Sequence, residues 1–596
     1  MTASTPAAGI PAAATPAAAT PAAGTFASSA LSPEHRARSR ERMGREVFDV
    51  VVVGGGVTGT GAAVDAATRG LTVALIEARD YAAGASSKSS KLIHGGLRYL
   101  EMLDFGLVRE ALRERRLLLT QLAPHLVKPV PFLWPLTHKW WERPYVGAGL
   151  LLYDTMGGRR AVPRARHLSR QRALQIAPAL RPDALVGAVQ FYDAQEDDAR
   201  MVAFLARTAA ANGAALATNI RMDGLLTQGQ RVCGVRARDL LDGTELHIRG
   251  RQVVTATGAW TNDTARDSAG EGGGLQVRPS KGVHIVVPRE CILMETGMLT
   301  RTEKSVLFVI PWGDHWIIGD TDTEWRYDPA HPAASHADID YLLAKANRML
   351  RDPITLADIE GVFAGLRPLV AARTGDTARL SREHTVDSPA QGLTTIAGGK
   401  FTTYRVMARD LIDAAARGLG RTVPPSRTRA VPLVGAAGYA ERWDARQQIA
   451  QRSDLPAAEI ERLLGRYGST IDDLLELISR RPELRQRLRG ANGYLAAEIV
   501  YGCTHEGAMR LDDVLARRTR IAFETRDSGL EAAPQAAALM APELGWDDAR
   551  VRREIAHYRQ AVAADLAAQD QPDDKLAVEA RLQADDPAPF YPGADG

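Results

Sequence analysis

Residues 48–77, FDVVVVGGGVTGTGAAVDAATRGLTVALIE, carry the pattern that decides the fold. The apolar run at 48–53 predicts a buried parallel strand, and a helix is predicted over 57–69. The spacing Gly-x-Gly-x-x-Gly lies between them at 54–59, and a second strand is predicted at 71–76. Strand, glycine turn, helix and strand in this register predict a Rossmann-like βαβ unit within an α/β fold.

Each glycine of this motif has a physical role in binding a dinucleotide. Gly54 allows the tight turn, Gly56 lets the backbone approach a pyrophosphate, and Gly59 lets the helix pack close to the strand. The N-terminus of the helix then presents its dipole and free N–H groups to the phosphates. Glu77 closes the second strand, where a carboxylate can accept both hydroxyls of an adenosine ribose. The unit therefore predicts a dinucleotide cofactor.

The residues after Glu77 favour FAD over a nicotinamide cofactor. A nicotinamide enzyme usually continues into another strand and helix of the same sheet. Here residues 81–91 are rich in Ser, Ala and Gly and lead into His-Gly-Gly-Leu-Arg-Tyr. Small hydroxyl residues let a cofactor backbone approach closely and offer hydrogen bonds to it.

A series of segments, in order and spacing, resembles the FAD-dependent glycerol-3-phosphate dehydrogenases of the D-amino-acid-oxidase-like flavoprotein superfamily. The resemblance covers about residues 47–420, with a further match in the C-terminal part. The segments are VVVGGGVTGTGAAVDAATRG (51–70), SSKLIHGGLRYLE (89–101), FYDAQEDDAR (191–200), TATGAWTN (255–262), RPSKGVHIVVP (278–288), FVIPWGDHWIIGDTDTEW (308–325), AGLRPL (364–369) and AGGKFTTYR (397–405).

The resemblance implies a Rossmann-like FAD-binding domain interleaved with a mixed-sheet substrate domain, followed by an all-helical C-terminal domain. Apolar spacing after residue 431 also predicts helices. The expected divisions are a disordered Ala/Pro-rich segment at 1–46, the interleaved domains at 47–425 with the substrate part mainly at 121–190 and 275–350, the helical domain at 426–570, and a polar tail at 571–596.

A pocket that selects a phosphate monoester needs several cations, because the ester carries about −1.5 to −2 charges near neutral pH. Arginine suits this task through its bidentate geometry. The resemblance implies Arg98, Arg367, Arg382 and Lys400 as the cations and Tyr99 as a hydroxyl donor. Three of these cations, Arg98, Arg367 and Lys400, lie in glycine-flanked apolar segments, which supports their assignment to the site. The assignment of Arg382 depends on the resemblance alone.

The general base stays open among three side chains. They are His94, His284 and a neutral Lys400, since a general base needs a pKa near the working pH. The residues expected to hold FAD combine the glycine motif with positions from the resemblance. They are Gly54, Gly56, Gly59, Glu77, Ser86, Ser87, Ser90, Lys91, Gly95, Gly96, Gly258, Gly399, Lys400, Phe401 and Thr402.

The implied reaction is oxidation of sn-glycerol 3-phosphate to dihydroxyacetone phosphate, with hydride passing to FAD and electrons passing on to a quinone. A soluble glycerol-3-phosphate oxidase that uses oxygen is the alternative. A non-catalytic flavin-binding module is a more remote alternative, since a scaffold does not need several cations that converge on one pocket. The family often has threonine where this chain has Asp320. An additional carboxylate there would weaken phosphate binding unless it points away.

Composition excludes several other classes of protein. The chain has 596 residues, 45% hydrophobic and 24% charged, and its net charge of +3 indicates no nucleic-acid partner. Its three cysteines are scattered, which fits free thiols in a reducing cytoplasm. No Cys/His cluster has metal-ligand spacing, so no metal is expected.

The N-terminal sequence predicts neither a signal peptide nor a membrane span. Residues 1–34 are Ala/Pro low complexity, with no Lys or Arg before Arg36. No apolar run approaches the roughly 18 residues of a spanning helix. We therefore expect a cytoplasmic protein, either free or peripheral on the cytoplasmic face of the membrane, and a homodimer.

Residues 129–156 have the composition of a membrane-interface belt. Burial in the core of the substrate domain or in a dimer contact is the alternative interpretation. The residues concerned are Trp134, Lys139, Trp140, Trp141, Arg143 and Tyr145.

Overall fold

The computed structural model describes residues 29–96, 104–138, 141–156, 161–264, 275–302, 306–370 and 384–584. The strands within them are β1 (Val47–Val53), β2 (Val73–Ile76), β3 (Leu92–Ile93), β4 (Lys128–Leu136), β5 (Arg166–Ser169), β6 (Gly187–Gln195), β7 (Ala215–Ala217), β8 (Ile220–Gln228), β9 (Arg231–Asp239), β10 (Glu245–Thr255), β11 (Val277–Pro288), β12 (Gly297–Arg301), β13 (Val306–Trp312), β14 (His315–Gly319), β15 (Thr323–Glu324), β16 (Gly361–Val370), β17 (Thr385–Ala390), β18 (Leu393–Ala397), β19 (Arg487–Leu488) and β20 (Ala491–Leu495).

The α-helices in the same part of the chain are α1 (Pro33–Arg45), α2 (Val57–Thr68), α3 (Phe105–Leu117), α4 (Glu142–Met156), α5 (Arg170–Ile176), α6 (Asp198–Ala211), α7 (His336–Asn347), α8 (Tyr404–Ala416), α9 (Tyr439–Asp444), α10 (Arg446–Ser453), α11 (Ala457–Tyr467), α12 (Ile471–Arg480), α13 (Ala496–His505), α14 (Ile521–Glu524), α15 (Ala533–Leu544), α16 (Asp548–Gln569) and α17 (Asp574–Arg581).

Among the described residues, the first sheet has eight strands and contains the predicted Rossmann-like unit. Its main order is β17-β18-β10-β1-β2-β7, and the β8–β9 hairpin joins it through β9 against β10. β1 lies between β10 and β2 and pairs parallel with both. Because β1 is covered on both faces, Val50, Val51 and Val52 are fully buried. The carboxyl end of β1, with the glycine motif, lies at the edge where ligands bind in such sheets.

The second sheet has ten strands in the described part of the chain and contains most of the predicted substrate domain. Its main order is β15-β11-β14-β13-β12-β4-β6-β3, with β16 paired to β11 and β5 paired to β6. β11 pairs antiparallel with β14 and β16, whereas β12 pairs parallel with β4. β3 begins one residue after the serine-rich segment 86–90 and pairs with β6. The chain thus passes from one sheet to the other beside the glycine motif, and the predicted interleaved fold is confirmed.

The C-terminal part is a helical domain with its own core. Ile460, Leu463, Ile471 and Leu474 are fully buried, as their helical spacing predicts. The short hairpin β19–β20 also belongs to this part of the chain. The domain is therefore mainly helical and not all-helical as predicted.

Buried ion pairs join the helical domain to the rest of the protein. Arg518 donates to both carboxylate oxygens of Asp80 at 2.6 and 2.7 Å, and Arg200 pairs with Glu506 at 2.6 Å. All four side chains are buried. Because breaking such a pair leaves a buried charge without its partner, at a cost of about 3–5 kcal/mol, these contacts hold the helical domain against the first sheet.

The predicted disorder of residues 1–46 is wrong for residues 29–46. Ser32 caps α1 by accepting from the His35 backbone N–H at 3.2 Å, and Pro33 occupies the first helical position. Arg36 is buried and pairs with Asp239 at 2.8 Å. These contacts order the segment although its neighbours are low complexity. Residues 1–28 lie outside the described residues.

The segment predicted to be a polar tail, 571–596, contains helix α17. Ala577 and Val578 of this helix are buried, and Asp574 pairs at 2.5 Å with the buried Lys281 of β11. Because Ala577 and Val578 share an apolar cluster with Leu366 of β16, this part of the tail packs on the second sheet. Residues 585–596 lie outside the described part of the chain.

Candidate active site

The glycine turn leaves no room for side chains next to β1. Gly54 has a φ of +111°, and a Cβ there would lie 2.6 Å from the carbonyl oxygen of Ala256. A Cβ at Gly59 would lie 1.9 Å from the carbonyl oxygen of Gly54. The turn therefore brings α2 close to β1, as the motif predicts. The backbone at Gly56 is left bordering the cavity described below.

Glu77 stands at the carboxyl end of β2 beside this turn. One carboxylate oxygen accepts from the Gly55 N–H at 2.6 Å, and the other accepts from the Arg79 N–H at 2.8 Å. Burial raises the pKa of Glu77. The carboxylate braces the glycine turn and also lines the cavity. Its contact with a ribose stays a prediction.

A cavity of about 1360 Å³ lies between the two sheets and the helical domain. Ligand pockets commonly measure about 300–1,000 Å³, so this one has room for a large cofactor together with a small substrate. Many of the residues predicted to form the site line it. They are Gly54, Gly56, Glu77, Ser86, Ser87, Ser90, His94, Gly96, Gly258, His284, Arg367, Gly399, Lys400, Phe401 and Thr402.

Gly59 and Gly95, both described, are not part of this lining. Gly59 serves the close packing of α2 on β1. Gly95 donates its N–H to the Tyr153 hydroxyl at 2.7 Å, and a Cβ there would lie 2.7 Å from the same oxygen. Both glycines shape the backbone next to the cavity. Arg98, Tyr99 and Arg382 lie outside the described residues.

Lys91 was expected to contact the cofactor, but it too lies outside the cavity lining. Its Nζ is 2.9 and 3.0 Å from the two carboxylate oxygens of Asp198 and 3.0 Å from the Ser87 carbonyl oxygen. Burial lowers the pKa of Lys91 to about 8. The structure thus gives Lys91 an ion pair that anchors the serine-rich segment to the start of α6. A lysine between Ser90 and Leu92 carries no local signal for this distant partner.

The two candidate histidines reach the cavity from different elements. His284 of β11 shares a hydrogen bond with the Ser90 hydroxyl at 2.8 Å, and its ring stacks on Phe363 with a centroid distance of 4.8 Å. The backbone N–H of His94 donates to the Thr402 hydroxyl at 3.2 Å. Burial lowers the pKa of both imidazoles, that of His284 to about 4. Both rings are therefore neutral near pH 7.

Lys400 follows a turn in which Gly398 and Gly399 have φ values of +77° and +83°. A Cβ at Gly399 would lie 2.5 Å from the sulfur of Met407, so the turn requires glycine there. Thr402 links this turn to His94 by hydrogen bonds in both directions. The predicted segments around His94 and Lys400 are thereby brought together.

Arg367 reaches the cavity from β16 across its neighbour β11. It lies opposite Ser280 in the strand pairing. A Cβ at Gly282 would lie 2.3 Å from its Nη2 atom, so a side chain at position 282 would have to displace the guanidinium. Gly282 and Phe363 were missed from the sequence. A glycine inside a strand pattern marks a close approach, and that signal could have identified Gly282.

Protonation of His284 should destabilise the fold as the pH falls. Its pKa is lowered by burial from 6.5 to about 4, so the unfolded chain binds more protons between these values. The stabilising contribution is present above pH 6.5 and is lost as the pH falls toward 4. We expect the melting temperature to fall over this window, and less steeply in His284→Gln. The exposed His247 provides the control His247→Gln. Equal slopes in all three proteins would contradict a buried neutral His284.

The comparisons with known proteins agree with this geometry. Residues 49–414 match the model of the family described as FAD dependent oxidoreductase, and residues 426–551 match the C-terminal domain of alpha-glycerophosphate oxidase. The chain is 52% identical over 557 residues to a glycerol-3-phosphate dehydrogenase of Mycobacterium leprae, covering 94% of this chain and 95% of that protein. The chain belongs to the FAD-dependent oxidoreductases, among the glycerol-3-phosphate dehydrogenases. The resemblance drawn from the sequence motifs is confirmed.

More distant relatives extend the similarity. A mitochondrial glycerol-3-phosphate dehydrogenase of Bos taurus is 39% identical over 535 residues, covering 86% of this chain and 73% of that protein. The crystal structure of a glycerol-3-phosphate dehydrogenase from Bacillus halodurans complexed with FAD superimposes with a TM-score of 0.74 at 28% identity, covering 89% of this chain and 98% of that one.

The residues present fit FAD as the cofactor of this family. The glycine turn at the end of β1, the N-terminus of α2 and the carboxylate of Glu77 border one cavity, which suits a dinucleotide. The same cavity continues past Ser86, Ser87 and Ser90 to His284 and Arg367.

Proposed function

We propose that the protein oxidises sn-glycerol 3-phosphate to dihydroxyacetone phosphate with FAD as its redox cofactor. The observation that carries the proposal is the continuity of one cavity from the glycine turn to Arg367 and Lys400, in a chain of this family. A dinucleotide site without cations would suit many substrates, whereas cations in the wall of the same cavity select an anionic one.

The residues of the chain have distinct roles in this reaction. Arg367 and Lys400 attract and orient the phosphate group, and Arg98, Tyr99 and Arg382 are proposed to complete that pocket. Oxidation removes a hydride from carbon 2 and a proton from its hydroxyl group. When bound, FAD supplies the two-electron redox chemistry, and the protein supplies orientation and charge.

The proton of the substrate hydroxyl needs a neutral acceptor in the cavity wall. His94 and His284 are both neutral near pH 7, because burial lowers the pKa of each, although a pKa of about 4 makes His284 a weak base. Both line the cavity, as does Lys400. The base is proposed to be one of these three groups. Replacing each in turn by Gln and comparing the pH dependence of kcat would identify it.

A visible spectrum tests the proposed reaction directly. The purified protein should show a flavin band that bleaches when glycerol 3-phosphate is added without air. Glycerol, which lacks the phosphate, is the matched control and should leave the band unchanged. A bound flavin that glycerol 3-phosphate does not bleach would overturn the proposal and favour the non-catalytic flavin-binding module.

We also propose a quinone as the electron acceptor, with oxygen as the alternative. The same substrate pocket serves an enzyme that uses either acceptor, so its cations do not indicate which acceptor is used. Reoxidation of the bleached enzyme should be fast with a short-chain quinone and slow with dissolved oxygen. The reverse order would identify a glycerol-3-phosphate oxidase. The homodimer and the cytoplasmic location stay predictions.

A lipid-soluble acceptor would favour contact with a membrane surface, and helix α4 supplies a candidate face. Among the described helices, none is long and apolar enough to cross a bilayer. Trp141 at the start of α4 is 56% exposed, and Tyr145 and Leu151 within it are 51% and 62% exposed. Trp134, in contrast, is buried in the second sheet. The aromatic segment therefore divides into a buried part and an exposed part, and Trp140 lies outside the described residues.

Replacing Trp141 and Tyr145 with Ser should release the protein from anionic lipid vesicles and lower quinone-coupled turnover more than dye-coupled turnover. The physical reason is loss of apolar surface that inserts at the bilayer interface. Leu293, which is 60% exposed, provides the control Leu293→Ser. Vesicle flotation measures the effect, and unchanged binding of the double variant would contradict membrane contact through α4.

A further inference from the structure

Asp320 comes directly after β14 and contacts Arg367 inside the cavity. Its carboxylate accepts a hydrogen bond from Nη2 of Arg367, and both residues line the cavity. The same guanidinium donates to the Thr321 carbonyl oxygen at 3.1 Å, and its Nη1 atom is 3.5 Å from Oδ1 of Asp322. One short segment therefore places two carboxylates around the cation that is proposed to bind phosphate.

This segment is anchored to the neighbouring strand β11. The Val283 backbone N–H donates to the Thr321 hydroxyl at 3.0 Å. The Ser280 hydroxyl donates to Oδ1 of Asp322 at 2.5 Å. Both donors belong to β11, so the backbone that carries Asp320 is held against that strand.

Arg367 lies against the same strand, β11. Its guanidinium crosses the backbone of Gly282, where a Cβ would clash with Nη2 at 2.3 Å. Arg367 and Asp320 side chains are only 27% and 21% exposed. Their contact joins the end of β14 to β16, two strands that both pair with β11, unlike an ion pair between two freely moving surface side chains.

We infer that Asp320 sets the affinity of the site for its anionic substrate by competing with the phosphate group for Arg367. This inference rests on the proposed function. A phosphate that approaches Arg367 meets a guanidinium already hydrogen-bonded to a carboxylate, and like charges within a few ångströms repel strongly in a partly buried site. The phosphate must displace or share the contact, so part of its attraction to Arg367 is offset.

The same competition acts on the product. Dihydroxyacetone phosphate keeps the phosphate group of the substrate, so Asp320 weakens the binding of both molecules. Weaker product binding favours release after the oxidation step. An affinity below the maximum that the cations could provide is consistent with rapid turnover, because uniformly tight binding lowers KM without raising kcat.

The substitution Asp320→Asn tests the inference, since it removes the charge and keeps the shape. In the flavin-loaded protein we expect the Kd for inorganic phosphate, measured by calorimetry, to fall about tenfold. The KM for glycerol 3-phosphate should fall in similar proportion, with kcat changed less than about twofold. Asp320→Thr, also uncharged, should act in the same direction. Asp314 is exposed at the other end of β14, and Asp314→Asn should leave both constants unchanged.

A Kd for phosphate that is unchanged or higher in both Asp320 variants would overturn the inference, because Asp320 would then support Arg367 and not compete for it. Loss of flavin from both variants would also overturn it, since Asp320 would then be needed for the fold. Phosphate binding is measured without turnover. Failure of glycerol 3-phosphate to bleach the wild-type flavin would instead overturn the proposed function.

Discussion

Arg367→Ala should lower kcat/KM for glycerol 3-phosphate at least about 100-fold and leave the flavin content unchanged. A lost hydrogen bond to a charged group costs about 1.5–3 kcal/mol, and the upper value corresponds to a rate factor above 100. The substitution also leaves Asp320 and Asp322 facing the phosphate without the cation that they contact in the structure. Steady-state kinetics with a dye acceptor and the flavin spectrum measure the two effects.

The double variant Arg367→Ala/Asp320→Asn separates these contributions. It should recover part of the lost activity, because the carboxylate left behind by the single substitution is neutralised. Arg326 is mostly exposed and pairs with Glu324 of β15, so Arg326→Ala controls for loss of an arginine near the same sheet. Normal turnover in Arg367→Ala would show that this arginine does not bind the phosphate.

Gly56→Val should yield protein without flavin. Gly56 borders the cavity at the N-terminus of α2, where the backbone must come close to the cofactor pyrophosphate. A Cβ at this position would lie 3.1 Å from the Ser86 hydroxyl oxygen, and the branched valine side chain would occupy the adjoining space. The absorbance ratio of flavin to protein measures the result.

Gly465 offers a matched control for this substitution. It lies within helix α11, and a Cβ there would meet nothing within 4 Å. Gly465→Val should therefore keep the wild-type flavin content, although valine lowers helix propensity slightly. A full flavin spectrum in Gly56→Val would mean that the pyrophosphate lies elsewhere.

Much of the dinucleotide edge could be predicted because its determinants are local. The apolar run of β1, the glycine spacing and Glu77 are close in sequence, and each follows from the sterics of a tight strand–turn–helix connection. The cap of α1 was also local, since Ser32 and Pro33 form a standard helix start. The Ala/Pro-rich residues before Ser32 dominate the composition of that segment, and this composition predicted disorder.

The sequence by itself determined the βαβ unit, the cofactor class and the family, all of which depend on spacings within short segments. Only the tertiary structure decided which partner each cation takes. Lys91 pairs with Asp198 across the core, and Arg367 meets Asp320 because β14 and β16 both pair with β11. Such contacts join residues far apart in the chain. Charge pairing depends on distance in space and on burial, which no local periodicity encodes.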